Sequence, residues 1–303
     1  MKTIEIFSAI KRKPGRIPMN IVYRIPWLNK RISDDKYLKF IYFCNFGKKL
    51  NLKNPKTFNE KMQWKKLNDR KEVYTTMVDK FKAKIYVSNI IGSEHIIKTY
   101  GSWSSFEEIP FYKLPNKFVL KCTHDSGCVV LCRDKSKLDL KKANKKLSNS
   151  LKRDFYLTGR EWPYKNVKRR ILAEELMEND DGMPLMDYKF YCFNGEPEYL
   201  YVSKGLENHN TAEISFYDMD FKRTNFYRKD FNQFKKDPSK PANFELMKEI
   251  ARNLSKGFDF LRVDLYEIKG KIYFSELTFT PCTGLMPFEP EEYDLVLGEK
   301  VKI

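Results

Sequence analysis

The alternation of apolar and polar positions changes character along the chain. Pro14, Pro18 and Pro26 punctuate the opening, and residues 34–50 then carry apolar side chains at the mixed spacing of a packed helix. Asn54-Pro55 breaks that pattern. Thr57 can then cap a new helix with Glu60 three residues on, the reciprocal capping-box spacing, and this helix is expected to reach about Asn68. A second helix is predicted over 79–90, with Gly92 as its stop. Residues 117–122 instead alternate with period two, Asp125-Ser126-Gly127 reads as a turn, and 128–132 return as a second strand. A basic amphipathic helix is predicted over 139–152, then a strand over 170–176 that enters a polar loop at 179–182. From Asp187 the pattern is mostly β, with strands predicted at 188–193, 198–203 and 214–217. A helix at 244–255 ends near Gly257, and a last hairpin pairs 261–268 with 272–279 around Lys269-Gly270-Lys271. Helices mixed with hairpins, without a repeated βαβ unit, predict an α+β fold.

Composition sharpens this picture in two places. A chain of 303 residues, rich in Phe (23) and Tyr (18) and without a low-complexity stretch, is expected to fold almost throughout as one large domain or two to three subdomains. The net charge of +17 is concentrated, since residues 1–60 hold 14 Lys and Arg against 4 Asp and Glu, a local excess of +10. Such a region attracts a polyanion: nucleic acid, an anionic membrane leaflet, or an acidic saccharide. Tyr23, Trp27, Tyr37, Phe40, Tyr42 and Phe43 interleave the basic residues, a pattern that suits an anionic lipid or glycolipid surface and equally a solvated basic face. No stretch approaches the roughly 18 apolar residues that span a bilayer, and residues 1–10 lack the apolar core of a signal peptide. A cytoplasmic protein is therefore expected, with peripheral contact at the inner membrane face as an option. Cys44, Cys122, Cys128, Cys132, Cys192 and Cys282 form no C-x-x-C pair, so neither a zinc site nor a disulfide framework is expected. His95, His124 and His209 are too few for histidine-rich metal chemistry.

The last hairpin carries the densest candidate chemistry. With a three-residue connection at 269–271, Asp264 faces Glu276, and Arg262, Asp264, Glu276 and Thr278 share a polar face opposite Val263, Leu265, Leu277 and Phe279. Two carboxylates directly opposed, roughly 5 Å apart at Cβ, repel unless a cation sits between them. Magnesium, which takes one or two carboxylates plus phosphate oxygens, suits such a pair; the same spacing also describes two solvated acids on an edge hairpin. The tip His124-Asp125-Ser126-Gly127 can present backbone N–H groups to phosphate with Lys121 beside it, or be a plain β-turn. On 171–176, Glu174 and Glu175 could accept from an adenine amino group or ribose hydroxyls, or simply be solvated, and Lys189 is a further inward-capable lysine.

In this order the pieces resemble the ATP-grasp superfamily, specifically its TupA-like (teichuronopeptide-biosynthesis) branch. The residues that carry the likeness are Asn54-Pro55-Lys56-Thr57-Phe58-Asn59-Glu60-Lys61, Asp79-Lys80, Lys117-Phe118-Val119-Leu120-Lys121-Cys122, Gly159-Arg160-Glu161-Trp162, Asp187-Tyr188-Lys189-Phe190-Tyr191-Cys192-Phe193-Asn194-Gly195, Arg262-Val263-Asp264 and Glu276-Leu277-Thr278-Phe279-Thr280-Pro281. The resemblance implies ATP clasped between two α+β subdomains, and divides the chain into a basic helical extension (1–53), an N-terminal α/β part (54–115), a lid subdomain (116–185) and a C-terminal subdomain with the metal-binding hairpin (186–303). It implies Lys121, Lys189 and Arg262 as catalytic cations, with Lys80, Lys121, Ser126, Gly127, Glu174, Glu175, Leu176 and Lys189 around the nucleotide. Asp264, Glu276 and Thr278 would hold Mg2+. Two departures stand out: Thr278 where many members of the superfamily have Asn, and Cys282-Thr283-Gly284 where the branch usually reads Gly-Ser-Gly.

The expected activity is an ADP-forming carboxylate–amine ligation through an acyl phosphate, joining a uronic-acid sugar, as nucleotide sugar or polysaccharide, to an amino acid or small amine. The direction of activation stays open. A capsule glycosyltransferase is the alternative enzyme, and a nucleic-acid-binding module has charge but no motif in its favour.

Overall fold

The computed structural model describes residues 26–179, 184–206 and 210–303. The readings at Pro14, Pro18, Tyr23, most of the 179–182 loop and His209 lie outside these residues. The chain opens with helices α1 (Pro26–Arg31) and α2 (Asp34–Phe46). Next come α3 (Phe58–Asn68), α4 (Glu72–Val78) and α5 (Lys82–Ile91). Helix α3 starts as its sequence dictates: the Thr57 hydroxyl accepts from the Glu60 amide, and the Glu60 carboxylate accepts from the Thr57 amide. The single helix expected over 79–90 is shorter. Asp79 is not in its first turn but precedes it, its carboxylate accepting from the amides of Phe81 and Lys82.

Two antiparallel sheets follow. One has four strands in the order β1 (Thr99–Trp103), β4 (Ile171–Glu174), β2 (Phe118–Cys122), β3 (Val129–Cys132). It therefore draws its edge strand from upstream of the division expected at residue 116. The other has five strands in the order β10 (Lys271–Thr278), β9 (Phe260–Ile268), β5 (Asp187–Phe193), β6 (Glu196–Lys204), β7 (Glu213–Tyr217). A short pair, β8 (Tyr227–Arg228) with β11 (Phe288–Glu289), lies beside them. Helices α6 (Leu140–Lys152), α7 (Tyr156–Gly159), α8 (Phe244–Ser255) and α9 (Tyr293–Lys300) complete the fold. The mixture of helices with antiparallel sheets is α+β, as expected.

The five-stranded sheet positions the site because its two faces differ. One face, with Phe190, Cys192, Val202, Val263, Leu265 and Leu277, is packed by Met247, Ile250 and Leu254 of α8 and by Met77 and Val87 of α4 and α5. The opposite face is aromatic at one end, where Tyr191, Phe193, Phe216 and Phe260 pack on Phe58 of α3 and Leu297 of α9. Toward its other end that face becomes charged.

The hairpin of β9 and β10 corrects the expected register and restores its consequence. The connection has two residues, Lys269 and Gly270, both at positive φ, and Lys271 pairs with Ile268. That turn would put Asp264 and Glu276 out of step. A bulge at Ser275, between the pairs Phe274–Leu265 and Glu276–Asp264, supplies the missing residue and brings the two acids opposite each other.

Helix α2 is a layer of the fold. Tyr37, Leu38, Ile41 and Tyr42 are buried in their own core with Leu50, so two of the aromatics read as interfacial face inward, while Trp27 and Phe43 remain exposed. Arg160 joins this layer to the body. Fully buried at positive φ, it stacks on Tyr37 at 4.2 Å, pairs with Asp34 at 3.0 Å and donates to the Asn29 carbonyl and side chain at 2.7 and 2.8 Å. Beside it, a Cβ on Gly159 would overlap the Thr283 hydroxyl. No helix among the described residues is long and apolar enough to cross a membrane. Because removing one partner of a buried ion pair strands the other, Arg160→Leu should lower unfolding free energy by about 3 kcal/mol. Urea denaturation of both proteins measures this, and an unchanged midpoint would show that Arg160 does not join the layers.

Candidate active site

Four adjacent strands build a row of side chains by register alone. Glu276 of β10 faces Asp264 of β9, Asp264 faces Lys189 of β5, and Lys189 faces Tyr201 of β6. Arg262, two residues from Asp264, lies on the same face and binds both acids. Its Nε donates to Asp264 Oδ1 at 2.7 Å, and its Nη2 donates to Asp264 Oδ2 at 2.6 Å and Glu276 Oε1 at 2.7 Å. Lys189 donates to Asp264 Oδ2 at 3.0 Å and also pairs with Asp187. The cation that the opposed acids require is thus a guanidinium of the chain itself, so the pairing alone does not demand a metal.

The electrostatics follow from burial and neighbours. Burial would raise the Glu276 carboxyl, but Arg262 and Lys189, with Lys80 beyond them, hold it at about 2. Burial works against the charges of Lys189 and Arg262, yet the flanking carboxylates outweigh it and raise both. Asp187 goes the other way: burial pushes it up to about 6 despite Lys189, with Asp264 adding to the rise.

The four-stranded sheet supplies a second charged cluster. Lys121 of β2 pairs with buried Glu174 of β4, and Lys84 of α5 reaches the same carboxylate at 2.7 Å while donating to the Ile97 carbonyl at 2.8 Å and the Thr99 hydroxyl at 3.0 Å. Burial opposes ionisation of Glu174, but the two lysines prevail and hold it at about 2. Burial lowers Lys84, whereas Glu174 and Tyr266 overcome burial to raise Lys121. Tyr266, on β9, lies near both clusters: burial first, then the Asp187 carboxylate, pushes its hydroxyl up to about 12, against the pull of Lys121 and Lys189. Between them lies a cleft of about 610 Å³, lined among others by Leu131, Leu176, Asp187, Ser203, Lys204 and Tyr266.

The structure brings Lys189, Arg262, Asp264, Glu276 and Thr278 together on one wall, Thr278 donating to Glu276 at 3.2 Å. Lys121 and Glu174 stand on the other sheet, and Leu176 lines the cleft. Lys80 donates to the Asp125 carbonyl at the base of the turn. Ser126 and Gly127 form an exposed tip at which Gly127 has φ +87°. Glu175 is exposed, its amide donating to the Lys98 carbonyl at 2.9 Å. Sequence reasoning passed over Lys84, Tyr266 and the charge role of Asp187. Asp187 was legible, since it shares a strand face with Lys189 two residues on; Lys84 comes from a helix whose spacing carries no such signal. The departure at Cys282-Thr283-Gly284 forms three successive residues at positive φ. Gln63 of α3 holds them by donating to the Thr283 and Gly284 carbonyls at 3.0 and 2.6 Å, and Lys66, lowered to about 8 by burial, donates to the Thr283 carbonyl at 2.6 Å.

A model of the TupA-like ATP-grasp family matches residues 60–302. The chain belongs to that family. Its α+β architecture is accordingly the ATP-grasp fold. Solved structures similar to this TupA-like chain include the ATP-grasp ligase PsnB with a minimal precursor (10% identity, TM-score 0.39, 72% of this chain and 58% of PsnB). Others are the D-cycloserine synthetase DcsG (14%, 0.41, 76% and 72%) and the D-alanine–D-alanine ligase of Helicobacter pylori (15%, 0.36, 75% and 61%). The chain thus spans less than two thirds of the length of PsnB and of the Helicobacter pylori enzyme. At these values the similarity bears on neither substrate nor mechanism. No curated protein matches the chain.

The donors on the TupA-like wall suit a hard cation. Asp264, Glu276 and Thr278 offer oxygen only, and Glu276 has its Oε1 engaged by Arg262 and Thr278 while Oε2 meets no protein donor among the described residues. Partly buried Asp187 likewise leaves its buried Oδ1 without a partner. These atoms fit Mg2+ or ligand donors entering the cleft.

The Asp187 shift makes a pH prediction. Its folded value, about 6, lies above the ordinary 3.8, so the folded chain binds the proton more tightly. That contribution is complete below about pH 4 and is lost as pH rises through about 6. The stability of the wild type relative to Asp187→Asn should therefore fall over that window, as read from urea midpoints. Parallel pH profiles would contradict the burial of this carboxylate.

Proposed function

We propose that this chain is an ATP-dependent, ADP-forming carboxylate–amine ligase that joins a uronic-acid sugar to an amino acid or small amine during assembly of a capsular or cell-surface polysaccharide. The observation that carries the proposal is the set of ion-paired cations that the two sheets of an ATP-grasp chain each carry. Lys189 and Arg262 stand on the five-stranded sheet and Lys121 on the four-stranded one, each cation kept charged by a buried carboxylate. Mg-ATP, when bound, would supply the phosphoryl group and a divalent charge; Asp264, Glu276 and Thr278 would hold the ion.

In this reading Lys121 and Lys189 bind phosphate oxygens, and Arg262 steadies the negative charge that develops when a carboxylate is phosphorylated. Their geometry is set before any substrate arrives, because Glu174, Asp187 and Asp264 fix the three cations in place, and charge fixed in advance is the efficient form of electrostatic catalysis. The amine then attacks the acyl phosphate and releases phosphate. The saccharide assignment rests on the TupA-like likeness and on the excess of cations in residues 1–60, which suits an acidic polymer.

A screen of uronic-acid donors against amines, read as ADP release, tests the proposal. ADP should form only when carboxylate and amine are both present, and Lys121→Ala should reduce turnover about 100-fold or more. Formation of AMP and pyrophosphate would replace the acyl phosphate with an acyl adenylate. Sugar transfer from a nucleotide donor without ATP would overturn the ligase in favour of a glycosyltransferase.

A further inference from the structure

The turn between β2 and β3 gathers a second set of metal-ligating atoms, away from the oxygen donors of β9 and β10. Lys121 pairs with Val129, so the next residues outward, Cys122 and Cys128, face each other across the base of the turn. Their sulfurs are 3.9 Å apart. A carboxylate oxygen of Asp125, within the turn, completes a set of three ligand atoms that all lie within 4.8 Å of one another. His124 stands outside this set and directs its Nε2 at the Ser150 carbonyl.

Two features distinguish the cluster from a chance meeting of side chains. Two thiolates on one tetrahedral zinc ion, each with a bond of about 2.3 Å, lie about 3.8 Å apart, close to the spacing found. Asp125 is buried, and while its Oδ2 accepts from the Ser150 hydroxyl, its Oδ1 has no partner. A buried carboxylate oxygen without a donor is costly unless a cation or water supplies the missing interaction.

We propose that Cys122, Cys128 and Asp125 form a binding site for a borderline-soft divalent cation, with Zn2+ as the ion whose chemistry fits best, leaving one coordination position open. Two sulfur donors select against Mg2+, so this site and the oxygen donors of the cleft sort different ions. Two thiolates and a carboxylate exceed the charge of one divalent ion by a single negative charge. Lys80 on the Asp125 carbonyl and Lys146 on the Val129 carbonyl, the latter at 2.6 Å, lie close enough to offset it. The absence of a C-x-x-C pair hid the site from the sequence, because five intervening residues and a β-turn bring the cysteines together. Such an ion would tie the ends of β2 and β3 and the start of the Ser126-Gly127 tip into one unit.

The test uses the full chain, stripped with chelator and kept reduced without oxygen, titrated with Co2+ as a spectroscopic probe and then with Zn2+. The expected result is one Co2+ per chain with a near-ultraviolet thiolate-to-cobalt band and intense visible bands of a tetrahedral ion, all abolished by Zn2+. Cys128→Ser, a near-isosteric change at a partly buried position, should roughly halve the thiolate band, since Cys122 remains, and weaken Zn2+ binding about 100-fold. Asp125→Asn should keep the band and weaken Zn2+ about 10-fold. Absence of the thiolate band in folded wild type, or its persistence unchanged in Cys128→Ser, would overturn the proposal.

Discussion

Asp264 has no surface exposed to solvent, and a buried carboxylate is tolerable only where cations and hydrogen bonds replace the water it has lost. That requirement organises the central sheet. Arg262 satisfies it from the same strand with two hydrogen bonds, and Lys189 satisfies it from the neighbouring strand. These two cations then impose requirements of their own, met by Glu276 on one side and Asp187 on the other. The row is a chain of mutual obligations across three strands, and removing any member leaves a buried neighbour uncompensated. The same arrangement leaves oxygen atoms over: Glu276 Oε2 and Asp187 Oδ1 are not used up by the protein.

The sheet can carry this row because its other needs are met elsewhere. The face beneath is largely apolar and packed by α8, α4 and α5, while the aromatic end of the charged face is covered by α3 and α9. Polar side chains of α3 serve a different purpose. Asn59 exchanges hydrogen bonds with the Met286 backbone, donating at 2.8 Å and accepting at 2.7 Å, while Gln63 and Lys66 hold the Thr283 and Gly284 carbonyls. The segment beyond β10 therefore keeps three consecutive positive-φ residues, two of them without the freedom of glycine.

How much of this was legible in the sequence varied with the range of the interaction. Local signals served well: the Thr57–Glu60 capping box, the period-two strands on either side of the Ser126-Gly127 tip, and α8 all stand where periodicity put them. The opposed acids were reached through two compensating differences, a connection one residue shorter than expected and a bulge at Ser275 one residue long. Nothing local announces that bulge; it is imposed by keeping Val263, Leu265 and Leu277 on the packed face while the acids face the cleft. Long-range pairings were out of reach. Strand β1, drawn into the lid sheet from upstream, Lys84 approaching Glu174 from a helix, and Arg160 binding Asp34 across more than a hundred residues depend on topology that spacing does not encode. In the basic, aromatic opening, Tyr37 and Tyr42 turn out to cover the fold's own core, while Trp27 and Phe43 stay exposed.

Whether the charged row holds a metal–triphosphate is measured directly by calorimetric titration of ATP, run with Mg2+, with chelator, and with Glu276→Gln. Wild type should bind ATP much more tightly with Mg2+ than with chelator, and Glu276→Gln, which keeps the shape of the side chain but loses its charge, should lose most of that difference. A folded wild type that binds no ATP in the presence of Mg2+, or binds it equally well without, would contradict a metal–nucleotide role for the row.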